Sequence, residues 1–197
     1  TENGVIETRA IFDVPSTEII EDFEGASISD FTTQDVSGNP QYTITDRGGD
    51  DWLEISGNDG DGGFVTLDSD SELMVDLDGV TADSDVFLTI GQVGDISVLI
   101  RNGNIFRLTR QQEGVLTDTS VPSSEIIGNE LTVSISVDGT TTTARLETPS
   151  NEYTVEYDGD LTPSSWGQIQ LGGVGNGGDS EVFFNNVRSV TDDGQLS

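Results

Sequence analysis

The chain contains no cysteine, no histidine and no lysine. Without the first two there are no disulfides, no thiolate or imidazole metal sites, and no Cys–His, Ser–His–Asp or other His-based acid–base arrangement. Without lysine there is neither a Walker-type phosphate lysine nor a Schiff-base nucleophile. Basic charge of any kind is scarce, because all seven basic residues are arginines scattered along the chain. They do not make the basic face that phosphate binding requires, so nucleic acid is not an expected partner, and anionic membrane surfaces are disfavoured for the same reason. No apolar run approaches the roughly 18 residues of a membrane-spanning helix, so no membrane insertion is expected. Asn-x-Ser/Thr sequons are absent too, so conventional N-glycosylation is not expected. What remains is the chemistry of carboxylates, hydroxyls, tyrosine, arginine and oxygen-ligated cations.

Against the arginines stand 37 acidic residues, for a formal charge of −30 in 197 residues. Such a chain repels itself strongly in dilute buffer. In brine the Debye length falls to about 3 Å and most of that repulsion is screened. The balance resembles that of proteins from extreme halophiles, halophilic archaea above all; a calcium-rich extracellular module is the alternative. The expected location is outside the cell or at its surface. The chain opens on Thr1, which a processed export leader would leave behind, as would a trimmed chain. The length suits one domain burying roughly 70% of its unfolded surface.

Threonine, valine and isoleucine are frequent, glycine is abundant, and short alternating runs recur about every eight to twelve residues, which predicts an antiparallel β-sandwich of jelly-roll type. Strands are expected at Val5–Val14, Gln41–Thr45, Trp52–Ser56, Phe64–Asp68, Glu72–Asp76 and Asp85–Gly91. Further strands are expected at Ile96–Arg101, Ile105–Arg110, Val115–Thr119, Leu131–Val137, Thr141–Glu147, Glu152–Tyr157, Gly167–Leu171 and Glu181–Val190. Leu131, Val133, Ile135 and Val137 point to one face, while Thr132, Ser134, Ser136 and Asp138 point to the other. Asn102-Gly103 and Asp138-Gly139 are two-residue hairpin turns, and Pro149-Ser150-Asn151 marks a third hairpin. Helix is scarce: the similar segments Val14–Ile20 and Val121–Ile127 each suit a single helical turn, with serine near the N-cap and glutamate in the first turn.

From Asn129 onward a polar-alternating strand leads into Val137-Asp138-Gly139 and a threonine-rich return strand. Gln168-Ile169-Gln170-Leu171-Gly172-Gly173 follows, and then Phe183-Phe184-Asn185-Asn186-Val187-Arg188-Ser189-Val190. This order resembles the end of a concanavalin A-like lectin/glucanase, or laminin-G-like, sandwich, and Glu21-Asp22-Phe23-Glu24-Gly25 is similar to the opening of such domains. The resemblance implies the fold and leaves function open, since this sandwich hosts enzymes, sugar binders and structural modules. Glycosidases of the superfamily carry an E-x-D-x-E or E-x-D-x-x-E strand with carboxyls about 5 Å apart in retaining enzymes. The nearest segment, Glu156-Tyr157-Asp158-Gly159-Asp160, departs from that pattern in its last acid and in a turn-like Asp-Gly. A non-catalytic protein is therefore expected.

Calcium takes six to eight oxygens, and acidic loops such as Asn58-Asp59-Gly60-Asp61-Gly62-Gly63 could gather them. Asp59 and Asp61, together with Asp50 and Asp51, are the candidate ligands; Asp46 and the pairs Asp76/Asp78 and Asp83/Asp85 are similar. None fits the EF-hand, because counting from Asp59 the required glycine is Phe64. A solvated acidic surface is the alternative. No other cofactor is expected. Trp52 and Trp166 are the candidate platforms for a sugar ring, with a core role as the alternative for both. Tyr153 and Tyr157 share a face with Val155 and read as core.

Residues 1–15 read as an N-terminal extension strand, or arm, ahead of a sandwich domain at 16–197. Val5, Ile6, Ala10, Ile11, Phe12 and Val14 would carry strand donation into a neighbouring copy, converting an edge liability into polymerisation. Pairing of the arm with its own domain is the alternative. Two functions follow. The first is a structural or adhesive extracellular subunit whose partners are copies of itself. The second is a calcium-dependent carbohydrate-binding module whose partner is a polysaccharide.

Overall fold

Alternating side chains fold into two antiparallel sheets packed face to face. The computed structural model describes residues 16–69, 72–91, 96–110, 113–138, 140–159 and 168–191. In chain order the strands are β1 (Ser16–Glu21), β2 (Thr32–Ser37), β3 (Gln41–Arg47), β4 (Asp50–Gly57) and β5 (Gly62–Leu67). There follow β6 (Glu72–Asp78), β7 (Ser84–Ile90), β8 (Ile96–Arg101), β9 (Ile105–Arg110) and β10 (Gly114–Ser120). After the four-residue helix α1 (Ser123–Ile126) come β11 (Leu131–Asp138), β12 (Thr141–Glu147), β13 (Glu152–Asp158), β14 (Ile169–Gly175) and β15 (Ser180–Thr191). One sheet runs β13-β12-β11-β6-β15-β4-β3, with β1 also paired to β15. The other runs β10-β9-β8-β7-β14-β5-β2.

The inward faces meet in one core. Leu131, Val133 and Ile135 supply it from β11, Leu73, Val75 and Leu77 from β6, and Val98 and Ile100 from β8, all 2% exposed or less. Each such aliphatic group contributes about 1.5–3 kcal/mol relative to exposure. Tyr153, Val155 and Tyr157 pack against the same core from β13. On one lateral side β10 packs against β13. On the other, the Tyr42 hydroxyl donates to Asp35 Oδ1 at 2.9 Å and bridges the sheets. Burial first, and then the Asp35 carboxylate, push the Tyr42 phenol well above its ordinary range. That bridge needs glycine at position 63, where a Cβ would lie 1.8 Å from the phenol oxygen.

The hairpin at Asn102-Gly103 forms with both φ values positive, 51° and 60°, as a tight turn between right-twisted strands requires. The β11–β12 and β12–β13 hairpins pair as expected. The helical turn expected over Val14–Ile20 is not there: Ser16–Glu21 is a strand on Val187–Thr191. A lone turn fixes several residues for one hydrogen bond, whereas a partner strand repays every residue, so pairing wins. The similar segment near Val121 does contain α1, so the two alike stretches fold differently. Strand β2 was not expected, because it is exposed throughout and has no alternation. Both edges of its sheet, β2 and β10, carry register shifts, whereas the edge strands β3 and β13 are regular. Among the described residues no helix is long and apolar enough to cross a membrane.

Candidate functional site

Cross-strand register on the seven-stranded sheet sorts the outward side chains into rows. Asp118, Arg107, Leu99, Phe87, Gly172, Phe64 and Gln34 lie opposite one another from β10 to β2. Their chain neighbours Leu108, Val98, Leu88, Leu171 and Val65 are buried in the core, so the row itself faces outward. One pleat along, Thr109, Ser97, Thr89, Gln170, Thr66 and Thr32 form a second row of hydroxyls and one amide, which ends at Val115 on β10. The hydroxyls of Thr89 and Ser97 bond each other at 2.7 Å, and the Thr109 hydroxyl donates to the Ser97 carbonyl.

Toward β2 the polar row opens into a cavity of about 550 Å³ lined by Thr32, Gln34, Thr66, Asp68, Gln168 and Gln170. Ile20, Phe31 and Leu67 give it an apolar wall, and Glu21 and Asp30 also line it. Gln170 is the informative member. It is 4% exposed, lines the cavity, and finds no side-chain hydrogen bond among the described residues. Its amide opens into the cavity with no protein partner among those residues, so it is placed to meet a polar guest. The rim carboxylates are held in place: Glu21 Oε1 accepts the Phe23 amide at 2.7 Å and Asp30 Oδ2 accepts the Ser27 amide at 2.8 Å.

The middle of the face is apolar. Phe64 and Phe87 meet edge to face, with ring centroids 6.4 Å apart and planes at 70°. At the β9–β10 end Arg107 pairs with Asp118 at 3.6 Å, and between β8 and β7 Arg101 pairs with Asp85 at 3.5 Å. The buried Nε of each arginine has no hydrogen-bond partner.

Trp52 lies on the outer face of the other sheet and is 8% exposed. The Arg47 guanidinium sits 5.4 Å from its ring centroid and 3.9 Å from that of Phe183, while pairing with Asp78 at 2.7 Å. Beside it a cleft of about 480 Å³ is bounded by Asp50, Asp76, Glu130 and Glu147. Trp166 lies outside the described residues, as do the strand-donation residues Val5, Ile6, Ala10, Ile11, Phe12 and Val14. Trp52 therefore does not share a face with the cavity.

The acidic candidates are not brought together. Asp50 and Asp51 open β4, and Asp59 and Asp61 follow its end, so its eight residues hold the pairs apart by roughly 25 Å. Asp51 accepts the Gly25 amide at 3.0 Å, and Asp59 accepts the Gly177 amide at 2.8 Å. Asp61 accepts the Asn39 amide together with the Asn58 amide and side chain, each at 3.0 Å. These bonds, that from Asn39 first, hold its carboxyl below the usual range. Among the described residues no group of three or more His, Cys, Asp or Glu is placed to hold a metal ion. Glu156 and Asp158 stand exposed on the edge strand β13; Asp160 lies outside the described residues.

Gln34, Thr66, Gln168 and Gln170 were not singled out from the sequence. A signal was present: Phe64-Val65 and Phe87-Leu88 put large apolar groups on both faces of strands whose outer face should be polar.

No protein-family model matches the chain, and a search of curated protein sequences finds no match. Solved structures do match. A Bacillus subtilis protein of unknown function with a galectin-like fold superposes with a TM-score of 0.59 at 8% identity, covering 89% of this chain and 94% of its own. Basic winged bean lectin with Tn-antigen gives 0.57 at 11% identity, covering 91% and 100%. A Bauhinia forficata lectin in complex with GalNAc gives 0.54 at 13% identity, covering 91% and 99%. The fold of this chain is the concanavalin A-like lectin sandwich.

Proposed function

We propose that this is a non-catalytic, extracellular carbohydrate-binding module whose site is the cavity at the β2 end of the seven-stranded sheet. One observation carries the reading: the sunken, unpartnered Gln170 amide opens into a polar cavity beside Gln34, Thr66 and Gln168. Amides and hydroxyls arranged around a small apolar wall suit a pyranose, which offers hydroxyls at its edge and C–H groups on its face. Two lectins of the same fold are described with GalNAc and with Tn-antigen, which supports a saccharide as the guest here. Calcium stays in the reading only as a cation for the titration to test, since among the described residues no group of three or more acidic side chains is placed to hold it.

The test is a glycan array in molar salt, followed by calorimetry on the ligands it finds. Gln170→Ala is expected to lower affinity about tenfold, the worth of a hydrogen bond whose partner is left unpaired. An array without binders overturns the reading. Repeating the titration with chelator assigns or removes calcium.

A second reading, self-assembly of a structural or adhesive subunit through residues 1–15, is favoured by the edge strand β3. Its pairing with β4 is continuous from Gln41 to Arg47, with no bulge to blunt the free side. Deleting residues 1–15 would then convert filaments into single copies. Filaments that persist in the deleted protein, or native material with none, count against it.

A further inference from the structure

We infer that this cavity prefers saccharides bearing a protonated amino group over their neutral and anionic counterparts; the inference rests on the saccharide-binding reading above. Glu21, Asp30 and Asp68 line the cavity, and among the described residues no arginine does. With no lysine or histidine in the chain, no other side-chain cation exists to offset them. The nearest arginines on the same face, Arg101 and Arg107, lie at its far end and are already paired with Asp85 and Asp118.

Position makes these charges usable. Glu21 and Asp30 each spend one oxygen on a backbone amide, which fixes the carboxylate and leaves the other oxygen open to a guest. Asp68 sits exposed directly after β5, one outward step beyond Thr66. Gln170, nine-tenths buried and unpartnered, stands deeper and offers both a donor and an acceptor. A ring whose hydroxyls meet Gln170 and Thr66 brings its substituents to the acidic rim. There an ammonium is attracted, an acetamide is indifferent, and a uronate or sulfate meets three like charges.

The size of the preference depends on salt. Partly exposed ion pairs are weak individually, and three together are expected to favour the amino sugar about fivefold at roughly 0.5 M salt. The preference should shrink toward about twofold near 3 M, where the Debye length is shorter than an ion pair.

The test is calorimetry on the full chain with three oligosaccharides of one length: β-1,4-linked glucosamine, its fully N-acetylated form, and a glucuronate-containing chain. Expected is the order amino, then N-acetylated, then uronate. The preference should be lost in the double variant Glu21→Gln/Asp68→Asn and retained in Glu152→Gln on the opposite sheet. Equal binding of the amino and N-acetylated forms overturns the inference while leaving the saccharide reading intact. So does a preference that survives the double variant, which would assign it to the net charge of the whole molecule. Failure of all three sugars to bind, with the array also blank, removes the reading and the inference together.

Discussion

Phe87 lies across Gly172 of the neighbouring strand: a Cβ built on Gly172 would come within 2.0 Å of Phe87 Cζ and 2.2 Å of Cε2. The glycine is thus the seat of the ring, and its pairing with both Phe87 and Phe64 puts that seat midway between the two aromatics. Gly172→Ala is expected to force the ring off its position. Overpacking of this kind costs about 1–3 kcal/mol. Denaturant titration should show the loss, whereas saccharide affinity should change little, because neither Gly172 nor Phe87 lines the cavity. Unchanged stability would mean that the ring has another resting place.

Trp52 reports on the opposite sheet. Because Arg47 covers it, Arg47→Ala is expected to expose the indole and shift its emission to the red, at a cost of about 1 kcal/mol from lost cation–π and ion-pair contacts. In a Trp166→Phe background, adding a bound saccharide should leave Trp52 emission unaltered. A ligand-dependent shift would move the site to the Arg47 side of the molecule.

Glu125 makes a local acid-sensitive tie. Its Oε2 accepts the Asn151 side-chain amide at 2.9 Å, the Tyr153 hydroxyl at 2.9 Å and the Thr148 hydroxyl at 3.2 Å, joining α1 to the β12–β13 turn. These donors, Asn151 first, hold its carboxyl below the ordinary glutamate value. A group with a depressed folded value stabilises fully above its unfolded value, and the contribution is lost as pH falls through the folded one. The native chain should therefore lose its stability advantage over Glu125→Gln as pH drops below about 4.3. Thermal melts of both proteins against pH check this; parallel curves would contradict it.

A charge of −30 predicts a strong response to ionic strength. Tm should climb steadily as sodium chloride rises from about 0.2 M to about 2 M, because screening relieves self-repulsion. An equal mass of sucrose should do much less. A Tm that ignores salt would remove the halophilic reading of the composition.

The architecture was legible where one face of a strand is wet. Leu131–Val137 alternates cleanly, and Asn102-Gly103 can turn only one way, so both were read correctly. Strand β2 escaped because Thr32–Ser37 is exposed on both sides and offers no alternation to read. Strand β1 escaped because its partner, Val187–Thr191, is some 170 residues away along the chain and leaves no local mark. The site was hidden for a related reason. Gln170, Thr66 and Gln34 sit on three strands that only the sheet register sets side by side, and each alone looks like ordinary surface. Phe87 was not assigned to a face, since a lone phenylalanine in an apolar run does not say which one it occupies.

The longest strand has one more effect. Its last residues pair with the first of β1, so that Ser16 and Thr191 stand opposite each other, about 5 Å apart across one rung. Anything attached before or after the body must leave from a single point, side by side. In a larger polypeptide the unit would hang as a pendant from its host, adding almost no contour length. The body's two ends, at Ser16 and Thr191, could be joined by a short linker and new ends opened at a distant turn while the sheets stay whole.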